Sequence, residues 1–356
     1  MPEPVPFYYS ATKADQLAER LSSGVSQITL TGLTGSAAAL TLAGLSRITP
    51  RQIVVITADQ AAADELVREL LFFNVSAIIP FPAWDVSPFE VASPHPDISG
   101  ARLEGLQRLL QGGGCTLVTT VAALMQKVLP RKVLTTASFS LMPGDEPDRE
   151  LLLENLVRMG YRNCPLVEER GSFAVRGGIL DIFPPSLSRP VRIDFFGDTV
   201  ETLRSFDPLN QRSQEPLAGL HLLPSRELVL SPSILQEFVP RLKQRADQLD
   251  IPADRRRQLV AELQGASYPP GVEFLQPLVH PGLEPLFKYL KNPLLVMIEP
   301  DQLIPAAHQQ AEEIQNGARK ALAEERLHPA SADLYLTPAE LQTAVAGHLE
   351  RELRGL

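Results

Sequence analysis

GSFAVRGGILDIFPPSLSRPVRIDFFGDTVETLRSFDPLNQRS, residues 171–213, decides how this chain is read. Ile179, Asp181 and Phe183, then Val191, Ile193 and Phe195, recur at period two, the spacing of β-strands. Pro184-Pro185 breaks the first run, and Gly197-Asp198 supplies the residues of a tight hairpin turn. Every cation in the stretch is arginine: Arg176, Arg189, Arg192, Arg204 and Arg212, with Arg170 just before it. Arginine presents a planar, weakly hydrated fork that suits partly desolvated contacts and is enriched at interface hot spots. Pattern alone leaves two readings open: a small antiparallel sheet with a solvated charged face, or the same sheet with a face that docks a partner.

The 356 residues allow two or three domains and a sizeable core. A hydrophobic fraction of 44% with 21% charged residues is that of a globular protein, and the net charge of −9 argues against a broad nucleic-acid footprint. A local basic face remains compatible with it. Cys115 and Cys164 have no CxxC spacing and follow no signal-peptide pattern, so a reduced, cytoplasmic compartment is expected. No apolar run approaches the ~18 residues of a membrane span. The six histidines show no HxxxH or HExxH spacing, and no metal site is expected.

In the first segment, residues 1–132, strand-like and helical patterns alternate. Gln27–Thr31 reads as a strand leading through Gly32-Leu33-Thr34-Gly35-Ser36 into a helix from Ala37 to Leu45. Strands follow at 52–57, 76–80 and 116–119, with helices at 59–71, 98–110 and 121–129. Such alternation predicts a parallel sheet covered on both faces. Strand, glycine loop and helix is also the layout of a phosphate-binding P-loop, which requires a Lys for the β/γ-phosphates and a Ser/Thr for Mg²⁺. Counted from Gly32, those positions hold Ala38 and Ala39. Lys13 and Lys127 are the only lysines in the first 127 residues, so no near neighbour replaces the missing one. The pattern predicts a P-loop-type fold without NTPase activity. Between Phe81 and Asp97 a proline-stiffened connection carries the only tryptophan, Trp84, expected to plug onto the core. His95 has no nucleophile beside it. In the helix that follows, Ile98, Leu103, Leu106, Leu109 and Leu110 form the buried stripe, with Arg102, Glu104 and Arg108 expected outside.

The second segment, residues 133–231, opens with a helix from Asp148 to Met159 and continues into the arginine-bearing strands, predicting an inserted α+β module. FAVRGGILDIFPP followed by VRIDFFGDTVETLRSFDPLNQRS resembles the domain shared by the excision-repair protein UvrB and the bacterial transcription-repair coupling factors (the Mfd family). GLTGSAAAL, FPAWDVSPFEVASPHPDISGARLEGL and VTTVAALMQKVLP upstream are closer to the coupling factors, whose N-terminal UvrB-homology module keeps the fold without its ATPase residues. The resemblance covers most of residues 27–230. It implies docking of the damage sensor UvrA through Arg176 (in FAVRGG) and through Arg192 and Phe196 (in VRIDFF). With Val191, Ile193 and Phe195 on the core side, period two puts Arg192 and Phe196 on the opposite face. The 80–97 interval has no room for UvrB's aromatic DNA-clamping hairpin, so damage verification on DNA is not implied.

In the third segment, residues 232–356, Phe238–Leu263 reads as one helical region whose Arg255-Arg256-Arg257 cluster is a solvated face among nearby acids. Leu294–Asp301 sits where the family's Walker B strand would lie. Ile298 and Glu299 occupy its acidic positions, and an isoleucine cannot hold Mg²⁺. Polar and amphipathic helices are expected at 304–325 and 338–353. The expected architecture is therefore α/β: a degenerate P-loop, RecA/helicase-like parallel-sheet domain in two discontinuous halves, with a small α+β domain inserted between them. By resemblance the chain is a non-catalytic adaptor that recruits UvrA to stalled RNA polymerase on a surface UvrB also uses and that other domains mask in the full-length protein. The resemblance confines ATP, Mg²⁺, RNA polymerase and double-stranded DNA to domains outside these residues, and implies no membrane partner. The rival readings are a UvrB-like ATPase or helicase and a nucleic-acid-binding module that uses the arginine face.

Overall fold

The computed structural model describes residue 17 and residues 19–21, 28–265 and 268–353, with 232 and 349–353 described by backbone alone. In chain order, residues 28–137 contain α1 (Ala37–Ile48), β1 (Ile53–Thr57), α2 (Gln60–Phe72), β2 (Ile78–Phe81), α3 (Pro96–Gln111), β3 (Thr116–Thr120), α4 (Val121–Met125) and α5 (Arg131–Ala137). Next come β4 (Phe139–Leu141), α6 (Arg149–Arg158), β5 (Arg162–Asn163), β6 (Ser172–Arg176), β7 (Ile179–Phe183), β8 (Val191–Phe196), β9 (Thr199–Phe206), β10 (Ser213–Pro216) and β11 (Leu220–Leu222). The chain continues through α7 (Pro232–Gln248), α8 (Ala253–Gln264), α9 (Gln276–Val279), β12 (Leu294–Met297), α10 (Pro300–Ala323), α11 (Ser331–Leu334) and α12 (Pro338–Leu353).

β1, β2, β3 and β12 form a parallel sheet in the order β12-β1-β3-β2. Every residue of β1 and β3 is buried, as in a sheet covered on both faces. Alternation sorts β1 between the two layers. Ile53 and Val55 pack with α1 and α2 through Leu42, Leu66 and Leu70, whereas Val54 and Ile56 pack with α3 and α4 through Leu103, Leu106 and Leu124. Asp59 caps α2 by accepting from Ala62 N at 2.9 Å, satisfying one of the helix's free donors. A second sheet, in the order β10-β9-β8-β7-β6-β5, is antiparallel apart from its β5–β6 edge. β4 and β11 make a separate two-stranded ribbon.

Several sequence expectations need correction. Ile28–Thr31 is not a strand: it runs as irregular chain before the glycine loop, beside β12, whose residues line the same groove. Gln27 lies outside the described residues. α4 stops at Met125 because Gln126 and Val128 instead form extended bridges to Tyr335 and Glu284. The helical region 238–263 is two helices, α7 and α8, separated at Ile251-Pro252, where proline lacks the N–H that a helix interior requires. Arg102, expected on the solvent side of α3, is fully buried.

That burial has an electrostatic cause. Arg102 Nε and Nη2 donate to Glu227 Oε1 and Oε2 at 2.6 and 3.2 Å, and Nη1 donates to Pro82 O at 2.8 Å. Trp84 Nε1 donates to Glu227 Oε1 at 2.7 Å, so the tryptophan plugs inward as expected. The guanidinium also stacks over Phe81, 4.6 Å from its centroid. This bonded group ties α3 to the segment that leaves β11. The same helix seats the second sheet: a Cβ on Gly100 would lie 2.5 Å from Pro185 backbone atoms, so only glycine admits this approach, and Arg170 pairs with Asp97 at 2.8 Å.

Among the described residues no helix is long and apolar enough to cross a membrane, and no group of three His, Cys, Asp or Glu could hold a metal ion.

Two stability predictions follow from the buried polar groups. Arg102→Met or Glu227→Leu alone strands an uncompensated charge and should cost about 3–5 kcal/mol, whereas the double variant should recover most of that loss. Urea denaturation of the three proteins checks it; a double variant as weak as the singles would contradict the charge-pair account. His280 Nε2 accepts from Val229 N at 3.3 Å, and burial, reinforced by the Arg241 charge, lowers its pKa to about 4. The fold favours the neutral ring, so its contribution is fully present above the unfolded pKa of about 6.5 and is lost as pH falls toward about 4, up to about 3 kcal/mol in total. Urea midpoints at pH 7.5 and 5 should differ less for His280→Gln than for the unaltered chain.

Candidate functional site: the arginine face of the second sheet

Gly177-Gly178 joins β6 to β7, and Gly177 adopts φ 58°, a left-handed conformation that glycine enters without steric cost. The two faces of the sheet then separate by alternation. Phe173, Leu180, Ile182, Val191, Ile193 and Phe195 point to a core closed by Leu152 and Leu156 of α6 and by β4 and β11. On the other face Asp181 of β7 stands opposite Arg192 of β8, and Arg192 opposite Arg204 of β9. Arg176, Asp194 and Phe196 share this face by strand period. A small cluster of Val167, Ala174, Phe183 and Phe206 covers one end of it.

β9 reaches that register through a bulge. Phe195 pairs with Val200 but Asp194 with Thr202, leaving Glu201 as the extra residue. The bulge sets Val200 and Leu203, three apart, on the core side together and turns Arg204 outward.

Asp181 is the centre of the face and is completely buried. Arg192 grips it bidentately, Nε to Oδ1 at 2.7 Å and Nη2 to Oδ2 at 2.9 Å. Arg176 Nη2 donates to the same Oδ2 at 2.5 Å. Arg192 also stacks over Phe206, 4.8 Å from its centroid, and donates through Nη1 to Gln211 O at 3.1 Å. The bond to Asp181, aided by the charges of Asp181 and Asp194, holds the Arg192 guanidinium above its ordinary pKa despite partial burial. Two guanidiniums share the one buried carboxylate, and with Arg204 the arginines of the face outnumber its two acids, Asp181 and Asp194.

The structure therefore brings Arg176 and Arg192 together on one acid. Their exposures differ: the Arg192 side chain is 14% accessible and that of Arg176 is 44%. Phe196 lies four residues along β8 from Arg192, about 13 Å by strand rise. It is 78% exposed, with no ring or cation contact among the described residues. Sequence reasoning missed two participants. Asp181 was read as one more position in a strand, and Arg204 could be placed outward only with knowledge of the bulge.

The glycine loop is at the other end of the molecule's chemistry. Gly32 and Gly35 take positive φ of 75° and 54°, and Ser36 is the N-cap residue of α1. Its hydroxyl donates to Glu69 Oε1. Ala39 is buried and Ala38 half-buried. The groove beside the loop, about 580 Å³, is lined by Ile28–Leu33, Ala38 and β12, and continues past Ile298 to Glu299 and Asp301. Among the described residues, no lysine or arginine lines it. Lys127 is bonded to Ala332 O, and Lys13 lies outside the described residues. In the third segment Arg255 pairs with Glu325 and Arg256 with Asp247, and His95 serves as the N-cap of α3.

Residues 139–228 match the family model described as UvrB interaction domain, a span that contains the whole arginine face. The chain is 35% identical over 286 residues to the transcription-repair-coupling factor of Myxococcus xanthus, covering 78% of this chain and 24% of that protein. It is 32% identical over 266 residues to that of Escherichia coli K12, covering 74% and 23%, and 30% identical over 213 residues to that of Bacillus subtilis, covering 60% and 18%. The chain thus spans about a quarter or less of the length of these relatives. It belongs to the transcription-repair-coupling-factor family, as the UvrB-homology module of that family.

Proposed function

We propose that this chain is a non-catalytic adaptor whose arginine face docks UvrA, and that within a longer coupling factor it recruits UvrA to stalled RNA polymerase. The observation that carries this reading is coincidence of place. The span matching the UvrB interaction domain holds an uncovered Phe196 on the same sheet face as a cluster of cationic side chains, four residues along β8 from Arg192. An exposed aromatic sharing a face with arginines is the composition of an interface anchor with a charged rim. Residues 133–231 act in this reading as the docking domain, and residues 1–132 with 232–356 as the scaffold that presents it. UvrB, using a corresponding surface, competes for the same partner.

The scaffold's glycine loop binds no nucleotide in this proposal. Ala38 and Ala39 stand where a P-loop places its Lys and Ser/Thr, Ile298 where Mg²⁺ would need an acid, and Glu69 sits at the mouth of the loop. A triphosphate would meet carboxylates without a compensating cation.

Three measurements test this. Immobilised UvrA should retain the chain, and Phe196→Ala and Arg176→Ala should each weaken retention about tenfold or more; undiminished binding by both variants sinks the site. Arg192→Ala and Asp181→Ala should lower thermal stability as well as UvrA affinity, because each breaks the shared acid–arginine cluster, whereas Phe196→Ala should leave the melting temperature unchanged. Calorimetry with Mg-ATP should give no saturable heat at millimolar nucleotide, and ATP turnover by the purified chain would revive the enzyme reading.

A further inference from the structure

The two cations expected to meet a partner are already engaged with Asp181, and the residue across the strand from them is not. Arg204 stands directly opposite Arg192, is exposed, and has no hydrogen-bond, ion-pair or ring partner among the described residues. Antiparallel neighbours at this spacing hold their Cβ atoms about 5 Å apart. Arg204 therefore adds a free guanidinium to a face where Arg192 and Arg176 already outnumber the one acid they hold. The other acid of the face, Asp194, accepts from Thr202 Oγ1 at 2.7 Å.

Beyond Arg204 the chain turns through Asp207–Arg212, and this loop presents Leu209 at 94% exposure. A lone exposed leucine is ordinary; the construction beneath this one is not. Asp207 Oδ1 accepts from Leu209 N at 2.8 Å and Oδ2 from Asn210 Nδ2 at 3.0 Å. Asn210 Oδ1 accepts from Arg212 N at 3.0 Å. Gln211, at φ 61°, donates through Nε2 to Val167 O and Pro208 O at 3.1 and 2.7 Å, and its carbonyl accepts from Arg192 Nη1. Asx-type bonding fixes the loop's shape, and the bond to Arg192 fixes its position beside the arginine cluster. An apolar side chain is thus held out on a pre-shaped loop, so that ordering it on binding costs little.

We infer that Arg204 and Leu209 form a second half of the docking surface: Arg204 pairs with a carboxylate on an acidic protein partner, and Leu209 enters an apolar pocket next to it. Phe196 then lies on one side of the arginine cluster and Leu209 on the other, giving two apolar anchors about a strand's length apart with guanidiniums between them. The engaged arginines, Arg176 and Arg192, hold the face together, and the free one supplies the charge-assisted contact. A protein partner fits this pattern better than nucleic acid, because phosphate binding would leave both exposed apolar side chains without a role.

The inference rests on the reading that this face docks UvrA, and the test separates the two. UvrA affinity is measured by calorimetry without DNA, at 50 and 300 mM NaCl, for the unaltered chain and for Phe196→Ala, Arg204→Ala, Arg204→Lys and Leu209→Ala. Both new positions are exposed, so melting curves should match the unaltered chain. Arg204→Ala should weaken binding about tenfold and flatten its salt dependence, Arg204→Lys should restore part of the salt dependence, and Leu209→Ala should weaken binding several-fold without changing it. If the chain binds UvrA and Phe196→Ala abolishes this while Arg204→Ala and Leu209→Ala bind within twofold of the unaltered chain, the inference is wrong and the docking reading stands. If the chain does not bind UvrA at all, both fall. Tight duplex-DNA binding by the chain that Arg204→Ala weakens equally would assign the arginine to phosphate and overturn the inference.

Discussion

A carboxylate removed from water must be compensated, and Asp181 is compensated twice. It sits on a strand with one face in a hydrophobic core, beside Ala174 of the neighbouring strand and Phe183 of its own, and it is completely buried. Arg192 and Arg176 have to close over it. The consequences run outward. Arg192 is fixed against Phe206, the Gln211 carbonyl is drawn onto the guanidinium, and the loop after β9 takes its position from that bond. One buried negative charge therefore fixes the cations of two strands, Arg176 of β6 and Arg192 of β8, and through Arg192 the position of a loop. An apolar residue at position 181 would leave Arg192 and Arg176 unpaired on a partly buried surface, so the acid sets the shape of the face as well as contributing to its stability.

The same logic operates at larger scale in Arg102 and Glu227. This pair is also fully buried and also clasped by an aromatic side chain. It joins α3 of the parallel-sheet layer to the segment that leaves β11, and Gly100 of the same helix is in direct contact with the backbone of Pro185, which follows β7 of the second sheet. Hydrophobic packing alone is tolerant of small slides. A bidentate pair with further bonds to Pro82 O and Trp84 is not, because misplacement leaves a buried charge unmet. The arginine face is thereby held in a set relation to the layer that carries it.

What the sequence disclosed and what it hid divide along physical lines. Local patterns were legible: the period-two runs of β7 and β8, the turn at Gly197-Asp198, the alternation of β1, α2, β2, α3 and β3, and the inward Trp84. Exposure of Phe196 followed from alternation on β8. Long-range pairing was not legible. Arg102 and Glu227 are 125 residues apart, and nothing in an amphipathic pattern says that a charged residue beside the stripe has a distant partner. Arg204 was hidden for a different reason. An unbulged hairpin closing at Phe196 and Thr199 would pair Arg192 with Leu203 and send Arg204 to the core. Only the extra residue at Glu201 reverses this, and a bulge has no reliable signal in a single sequence. The strand expected at Ile28–Thr31 failed because an apolar alternating run forms a strand only where an edge accepts it in register.

The glycine loop has an acid of the protein itself at its helix cap. A helix N-terminus carries about half a positive charge and free N–H groups, which favour an anion whatever its origin. At α1 the nearby anion is the protein's own: Glu69 of α2 accepts from the Ser36 hydroxyl at the helix cap. A tethered carboxylate is held close at a high effective concentration, and its charge opposes a second anion beside it. Restoring a lysine at position 38 alone would therefore supply a cation to Glu69 before it supplied one to a nucleotide. The loop thus pairs its helix cap with an acid of the protein itself, whereas on the face of the second sheet Asp181 is shared by two arginines.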